Sequence, residues 1–410
     1  MPFPFRRIAI VVLCCAAGMT ASAGTPDTSG TSATVTDQFW TQNQVTGDLF
    51  GLRPELLKNG LTIGLDWVSD GYANMTGGIR RGTTAASTLD LRVSQTVGTS
   101  GTLYLDLQDH AGPDPSQNLV GDLQRFSNLN SAPFFHFAEI WYQQALPGDT
   151  VRFKIGRMDA NDDFSVIDNG ANFLNSSAQN SPSIVNFPTY PDTMFGGEVF
   201  FTLPNQYYAQ LGAYYDSRSD KFLDFTGADL KDGFPAGGAF LIGETGSTWS
   251  NIGNWQADGN FRLGGWGDTG TLTRFDGATQ HGTCGFYAIA NQTLWKPDWS
   301  PAETRGLRMF LECAESPGDV SLVNRHVGAG FTWTGLTSSQ RNYVIGVGPE
   351  YVNLSNNAGL PKPFELAAEA FYLYQFANWA SIQPDLQYIC HPGGMYPNAL
   401  VGTLQFTMHF

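Results

Sequence analysis

Past its first two dozen residues the chain has no uninterrupted apolar run of about 20 residues, so the sequence offers no helix able to cross a bilayer. Cysteine is scarce: there are five, and Cys14 and Cys15 fall in the N-terminal apolar stretch. The other three, Cys284, Cys313 and Cys390, are too few and too odd in number for a disulfide framework, although one bridge is open to them. Positive charge is also short. With 22 Lys and Arg against 37 Asp and Glu, the formal net charge is −15, which argues against nucleic acid as a partner. No G-x-S-x-G, H-E-x-x-H or G-x-x-x-x-G-K-[ST] occurs, so the commonest nucleophile, zinc-protease and phosphate-loop chemistries have no anchor. The six histidines (His110, His136, His281, His326, His391, His409) stand far apart without ligand spacing. "DANDD", with Asp159, Asp162 and Asp163, lacks the Gly and the twelfth-position Glu of a calcium loop. Neither a metal nor another cofactor is expected.

What is present begins with a secretory signal over residues 1–23. Arg6 and Arg7 supply its positive end, Ile8 to Gly18 an apolar core too short to span, and Ala21-Ser22-Ala23 a cleavage site. A retained anchor is the competing reading. Removal of the signal leaves 20 basic against 37 acidic residues, a net charge of −17. Residues 24–46, rich in Ser, Thr and Gly at their start, are expected to be a flexible leader. Residues 47–60 are expected to form a short helical segment, with Asp48 as its cap, Lys58 near its end and Gly60 closing it.

From residue 61 to residue 410 the pattern is period two. In "LTIGLDW", Leu61, Ile63, Leu65 and Trp67 alternate with Thr62, Gly64 and Asp66; in "TLYLDLQDH", Leu103, Leu105 and Leu107 alternate with Tyr104, Asp106 and Gln108. Sixteen such segments can be counted. The last runs to the C-terminus, with Leu400, Gly402, Leu404, Phe406, Met408 and Phe410 on one face and Val401, Thr403, Gln405, Thr407 and His409 on the other. Period two is the signature of a strand with one apolar and one polar face.

A soluble sandwich would satisfy this alternation. Three features favour a transmembrane barrel instead: export, an even number of segments of roughly 9 to 12 residues, and aromatics near segment ends (Trp67, Trp141, Tyr142, Tyr207, Tyr208, Trp333, Tyr372, Tyr374). Backbone groups in hydrocarbon must all be paired, and a closed sheet does this without helices. The expected fold is therefore all-β, a sixteen-stranded antiparallel barrel in a bacterial outer membrane, with lipid against its apolar face and a polar lumen. The last strand would then pair with the first, which explains why the alternation runs to Phe410.

Several collinear segments carry a family resemblance. "QPDLQYICHPGG" followed by "NALVGTLQFTMHF" resembles the closing hairpin of the carbohydrate-selective outer-membrane porins, the OprB-type family. "GDLFGLRPELLKNGL", "EIWYQQAL", "KIGRMDANDDF", "FLNSSAQNSP", "YYAQLGAYYD", "FLIGE", "RLGGWGDTG" and "GFYAIANQTLW" are similar to family segments in the same order. The resemblance implies a lumen narrowed by an infolded loop and an N-terminal helical plug. It implies passive, selective diffusion of mono- and oligosaccharides such as glucose. It further implies recognition of the C-terminal strand, ending in Phe410, by barrel-assembly machinery, and it leaves monomer and homo-oligomer both open. The chain departs from the family pattern at Phe50, where the family usually has Gly, and at Arg157, where Gln is frequent.

A sugar needs paired donors and acceptors for its hydroxyls and an aromatic surface for its C–H faces. Alternation nominates as pore-lining Asp90, Arg92, Asp106, Glu139, Trp141, Lys154, Glu198, Glu244, Arg262 and Trp266. Asp66, Arg308, Glu312, Glu365, Glu369 and Gln387 share the inward parity. Each of these charges has a competing reading as a bridge between neighbouring strands. Arg80 and Arg81, in "GGIRRGTT", are expected to place one guanidinium in the lumen or to remain solvated turn charges. The longest irregular stretch, Asp159 to Phe195, is the expected constriction loop, with Asp159, Asp162, Asp163, Asn172 and Asn175 as its polar residues. Two other functions fit less well, a general small-solute porin and an outer-membrane glycoside-acting enzyme. Glu365 and Glu369, four apart on one strand face, would be separated by about 13 Å, too far for a glycosidase carboxylate pair.

Overall fold

The computed structural model describes residues 39–215, 238–252, 255–300, 303–335 and 342–410; the expected signal and residues 24–38 of the expected leader lie outside them. Every alternating segment becomes a strand: β1 (Leu61–Thr76), β2 (Gly82–Val97), β3 (Gly101–Ala111), β4 (Phe134–Ala145), β5 (Val151–Met158), β6 (Met194–Thr202), β7 (Tyr207–Tyr215), β8 (Ala239–Ile252), β9 (Trp255–Thr273), β10 (Thr279–Trp295), β11 (Gly306–Glu315), β12 (Val323–Thr334), β13 (Tyr343–Leu354), β14 (Phe364–Ala377), β15 (Ala380–Cys390) and β16 (Ala399–His409). Each pairs antiparallel with its sequence neighbours, and β1 closes on β16.

The closing seam runs from Asp66 opposite His409 through Trp67 opposite Met408 and Ser69 opposite Phe406. Phe410 extends it, its N–H donating to the Leu65 carbonyl at 2.8 Å. The final alternation therefore completes the ring. Apolar residues on the outward parity, such as Ile155, Leu211, Leu311 and Leu404, are exposed at the barrel surface. In a bilayer that band faces lipid.

The ends of the barrel differ. At the end where β1 begins and β16 finishes the connections are short, as between Val97 and Gly101 and between Ala377 and Ala380, whereas residues 112–133 and 159–193 connect strands at the other end. Short turns face the periplasm in such barrels and long loops face outward, which orients the chain.

The N-terminal expectations need correction in part. Residues 39–46, expected as flexible leader, are held on the barrel: Trp40 stacks on Trp379 with centroids 5.7 Å apart, and the Val45 N–H donates to the His409 carbonyl at 2.9 Å. The expected plug helix is α1 (Leu52–Lys58), seven residues with none buried. It packs on β1, and Gly60 just beyond it accepts the N–H of Thr96 from the end of β2. It thus sits at the periplasmic rim and does not fill the lumen. Asp48 makes no side-chain cap; Gly51 occupies the N-cap. Leu49, Phe50 and Gly51 all have positive φ, at 52°, 61° and 86°. That accounts for the glycine implied by the resemblance at position 50, because a non-glycine residue is strained in this region. The three described cysteines are free.

Candidate functional site

The lumen is narrowed from within. Residues 159–193, between β5 and β6, fold inward, and Ala160, Phe164, Phe173 and Ala178 become almost fully buried. They pack on inward residues of the wall from β7 to β14: Tyr214, Phe240, Ile242, Trp266, Tyr287, Ile289, Phe310 and Phe371. Phe173 sits edge-on to both Phe310 and Phe371, at 5.4 and 5.0 Å between centroids. Burying each such aromatic is worth about 1.5–3 kcal/mol, enough collectively to keep a loop inside a water-filled lumen. Residues 112–133 form a second inward segment, in which Leu119, Val120 and Phe126 pack on Tyr72, Ile389 and Val401.

Carboxylates on the wall then fasten the loop backbone. Glu369 accepts the N–H groups of Leu174 and Asn175 at 2.7 and 3.0 Å. Glu365 accepts those of Leu123, Gln124 and Gly393. Glu244 accepts the Ser165 N–H at 2.9 Å and the hydroxyls of Tyr208 and Tyr287 at 2.7 Å each. Glu139 accepts the Asp159 N–H and the Trp141 indole N–H. Each carboxyl group offers two oxygen acceptors, so one side chain holds two or three neighbouring donors at once.

This revises part of the expected pore lining. Glu139, Glu198 and Glu244 are buried at 4–6% exposure and hold neighbours instead of facing free lumen. Glu198 accepts the Tyr214 hydroxyl at 2.5 Å and lies 3.8 Å from Lys154. Trp266 is 4% exposed and stacks on Phe240 beneath the loop, so it offers no face to a passing solute. Lys154 is likewise buried, donating to Asp163 at 2.8 Å. Arg80 and Arg81 are exposed in the β1–β2 turn at the outer mouth, away from the narrowing. Arg157, the family departure, is buried and donates to the Thr193 hydroxyl at 2.8 Å.

The loop residues divide in the same way. Asn175 is fully buried, donating to Gln387 at 3.1 Å, and the Asn172 carbonyl accepts from Gln383. Asp159 accepts the Asn161 and Tyr190 N–H groups and the Thr189 hydroxyl. Asp163 lies between Lys154 and Arg152. Asp162 is exposed beside them.

A compact set surrounds the exposed Arg92 guanidinium, with Asp90, Tyr104 and Trp141 half-buried beside it and Asp66 and Asp106 buried. Arg92 pairs with Asp66, and its side chain is 45% exposed; Asp66 lies opposite Asp90 on β2, and Arg92 lies opposite Asp106 on β3. Beside them Tyr104 and Trp141 stack with centroids 4.8 Å apart and planes 21° apart, with the Lys154 ammonium 4.7 Å from the Trp141 ring. Around the loop, Arg262 donates to Asp168 at 3.1 Å, Asn260 donates to the same carboxylate at 2.7 Å, and Arg152 lies over Phe200. A cavity at this point is lined by Arg152, Asp162, Asp163, Asp168, Tyr208 and Arg262 among others. Both charge signs, amides and aromatic faces therefore converge where the loop meets the wall.

The inner apolar wall was missed by sequence reasoning. Its signal was there: "AFLIG" and "FYAIA" are apolar on both parities, which a strand with a wet inner face would not be.

Comparison with known proteins agrees with this architecture. Residues 67–410 match the carbohydrate-selective porin, OprB family. The chain is 22% identical to Porin B of Pseudomonas aeruginosa, covering 89% of this chain and 90% of that protein. It is 23% identical to the putative porin QuiX of Acinetobacter baylyi, covering 93% and 97%. Among solved structures it resembles the high-pH structure of Pseudomonas putida OprB, with a TM-score of 0.79, 19% identity, and coverage of 90% of this chain and 99% of that one. With a closed sixteen-stranded outer-membrane barrel and a family match over most of its length, the chain belongs to the OprB family of carbohydrate-selective porins.

Proposed function

We propose that the Tyr104–Trp141 pair, with Arg92, Asp66, Asp106 and Asp162 beside it, is the selective surface over which mono- and oligosaccharides such as glucose diffuse passively into the periplasm. One observation carries this reading: two stacked, half-buried inward aromatic rings adjoin the exposed Arg92 guanidinium and the carboxylates gathered around it. Sugar C–H faces would slide on the rings while hydroxyls exchange water for the carboxylates and guanidinium. Each contact is weak enough to release, as conduction requires. Arg262, Asp168 and Asn260 would provide a second set of partners across the narrowing.

The reading as a channel and not an enzyme draws support from Glu365 and Glu369, the only carboxylate pair that sequence reasoning raised for glycoside chemistry. Both are occupied by loop N–H groups. Recognition of the chain by barrel-assembly machinery is supported by the position of β16 and Phe410 at the closing seam. The test is ion-current block of the refolded protein in planar bilayers by a series of saccharides, with liposome swelling alongside. Saccharide-dependent block that weakens in Trp141→Ala supports the assignment. Equal permeation of sugars, amino acids and salts overturns it in favour of a general porin.

A further inference from the structure

Glu312, Gly328 and Glu350 lie on one rung of the sheet, Glu312 opposite Gly328 on one side and Glu350 opposite it on the other. All three are on the inward parity, and both carboxylates are 2% exposed. Glycine between them is a steric requirement. A Cβ at this position would run into the Glu350 carboxylate and come within 2.9 Å of Glu312 Oε1. His326, the preceding inward residue of β12 and 0% exposed, completes the group, with Nε2 2.9 Å from Glu350 Oε2 and Nδ1 3.5 Å from Glu312 Oε2. One ligand atom from each of the three residues lies within 4.8 Å of the other two.

The hydrogen bonding of this group does not balance. Ser181 Oγ, from the infolded loop, is 3.1 Å from His326 Nδ1. If Nδ1–H donates to Ser181, Nε2 is a bare acceptor facing a carboxylate oxygen. If instead Nε2–H donates to Glu350, Nδ1 accepts from the Ser181 hydroxyl. In both cases Glu312 Oε1 and Glu350 Oε1 are buried without a hydrogen-bond partner. Among the described residues the only ion-pair partner of either carboxylate is His326 itself. Full protonation of His326 still leaves one net negative charge in a dry site, a costly arrangement. A divalent cation held by two carboxylates and a neutral imidazole makes the group neutral and engages the orphaned oxygens together.

We infer that Glu312, His326 and Glu350 form a divalent-cation site in the inner wall, with zinc as the favoured ion. Imidazole nitrogen and carboxylate oxygen without thiolate suit zinc, and Cys313, the sequence neighbour of Glu312, is exposed on the opposite parity. Tetrahedral zinc with bonds of about 2.1 Å places its ligand atoms about 3.4 Å apart, a contraction that rotation of the unpartnered carboxylates supplies. With Nε2 on the ion beside Glu350, Nδ1–H donates to Ser181 Oγ and a water would complete the shell. Ser181 belongs to the infolded loop, so an ion that fixes the His326 tautomer also fastens the narrowing, through this hydrogen bond, to β11, β12 and β13. No ligand spacing in the sequence shows this site, because its residues come from three strands and meet only through register.

The test uses the full-length protein in detergent, stripped with EDTA and titrated with zinc chloride by calorimetry, with elemental analysis of the product. About one zinc per chain is expected, with affinity falling about 100-fold or more in His326→Ala and in the Glu312→Gln/Glu350→Gln double variant. Heat-modifiable gel migration reports whether each variant has formed its barrel. Where a variant does not fold, X-ray absorption at the zinc edge of the loaded wild type takes its place; one imidazole with oxygen ligands is expected. A folded wild-type protein that takes up no zinc overturns the inference, as does an affinity unchanged in folded variants. So does an infrared carboxylic-acid band in the zinc-treated protein that disappears in Glu312→Gln, since a shared proton would then occupy the site.

Discussion

Glu369 and Leu174 are 195 residues apart in the chain, yet the Glu369 carboxylate accepts the Leu174 N–H at 2.7 Å and thereby ties the infolded loop to β14. The same carboxylate accepts the Asn175 N–H at 3.0 Å, and the side chain is 4% exposed. A buried carboxylate bound to two loop amides fixes the loop in both position and direction.

Glu369→Gln keeps one carbonyl acceptor and turns an NH2 group toward a second backbone donor. The loss is about 1–3 kcal/mol of loop docking, the usual cost of leaving a buried donor unmatched. The variant is expected to show larger, noisier single-channel conductance and faster proteolysis within residues 159–193. Unchanged conductance and cleavage would remove Glu369 from the clamp.

Trp141 contributes both a ring face and an indole N–H, which donates to Glu139 at 3.0 Å. Trp141→Ala should weaken sugar block of the ion current about 2- to 10-fold, the range of one aromatic contact. Trp141→Phe keeps a ring and should lie between Ala and wild type, whereas Glu139→Gln should alter block little. Equal loss in Phe and Ala would assign the effect to the indole hydrogen bond instead of the stacking surface.

Two loop carboxyls give the narrowing a pH dependence. Burial, reinforced by the charge of Asp162, pushes Asp159 up to about 7; burial and the charge of Glu365 push Asp122 up to about 7. An undocked loop would release these protons near the ordinary carboxyl value of about 3.9. The docked form therefore binds protons more tightly. Its added stability is complete below about pH 4 and is lost as pH rises through about 7. Proteolysis within residues 159–193 should accelerate from pH 5 to pH 8, and Asp159→Asn should flatten that profile. A profile that falls with rising pH contradicts this sign.

Much of the barrel was legible because each strand needs only its own parity, and Leu103 against Tyr104 is as readable in the sequence as in the structure. The clamps were not, since Glu244 and Glu369 look alike in sequence to open pore residues until the loop that covers them is placed. Trp266 shows the same limit: its inward aromatic ring is what a sugar surface needs and also what a covered wall needs. Inward apolar residues such as Phe240, Ile242 and Ile289, on the side expected to be wet, separated the two cases in advance.

Arg262 distinguishes loop docking from channel selectivity. Its guanidinium lies 3.1 Å from Asp168, whose side chain is 42% exposed, and 3.6 Å from the buried Glu244. The exposed Asp168 pair is screened by solvent and is worth no more than about 1 kcal/mol, so Arg262→Gln should change loop proteolysis little. Selectivity should respond more strongly. Removing this cation leaves the exposed Asp168 carboxylate uncompensated at the lumen, where low-dielectric walls concentrate its field. The zero-current potential in a potassium chloride gradient is expected to shift toward cation preference, and Asp168→Asn to shift it the other way. Opposite shifts locate the pair at the conducting path; no shift in either variant would place the current on another side of the loop.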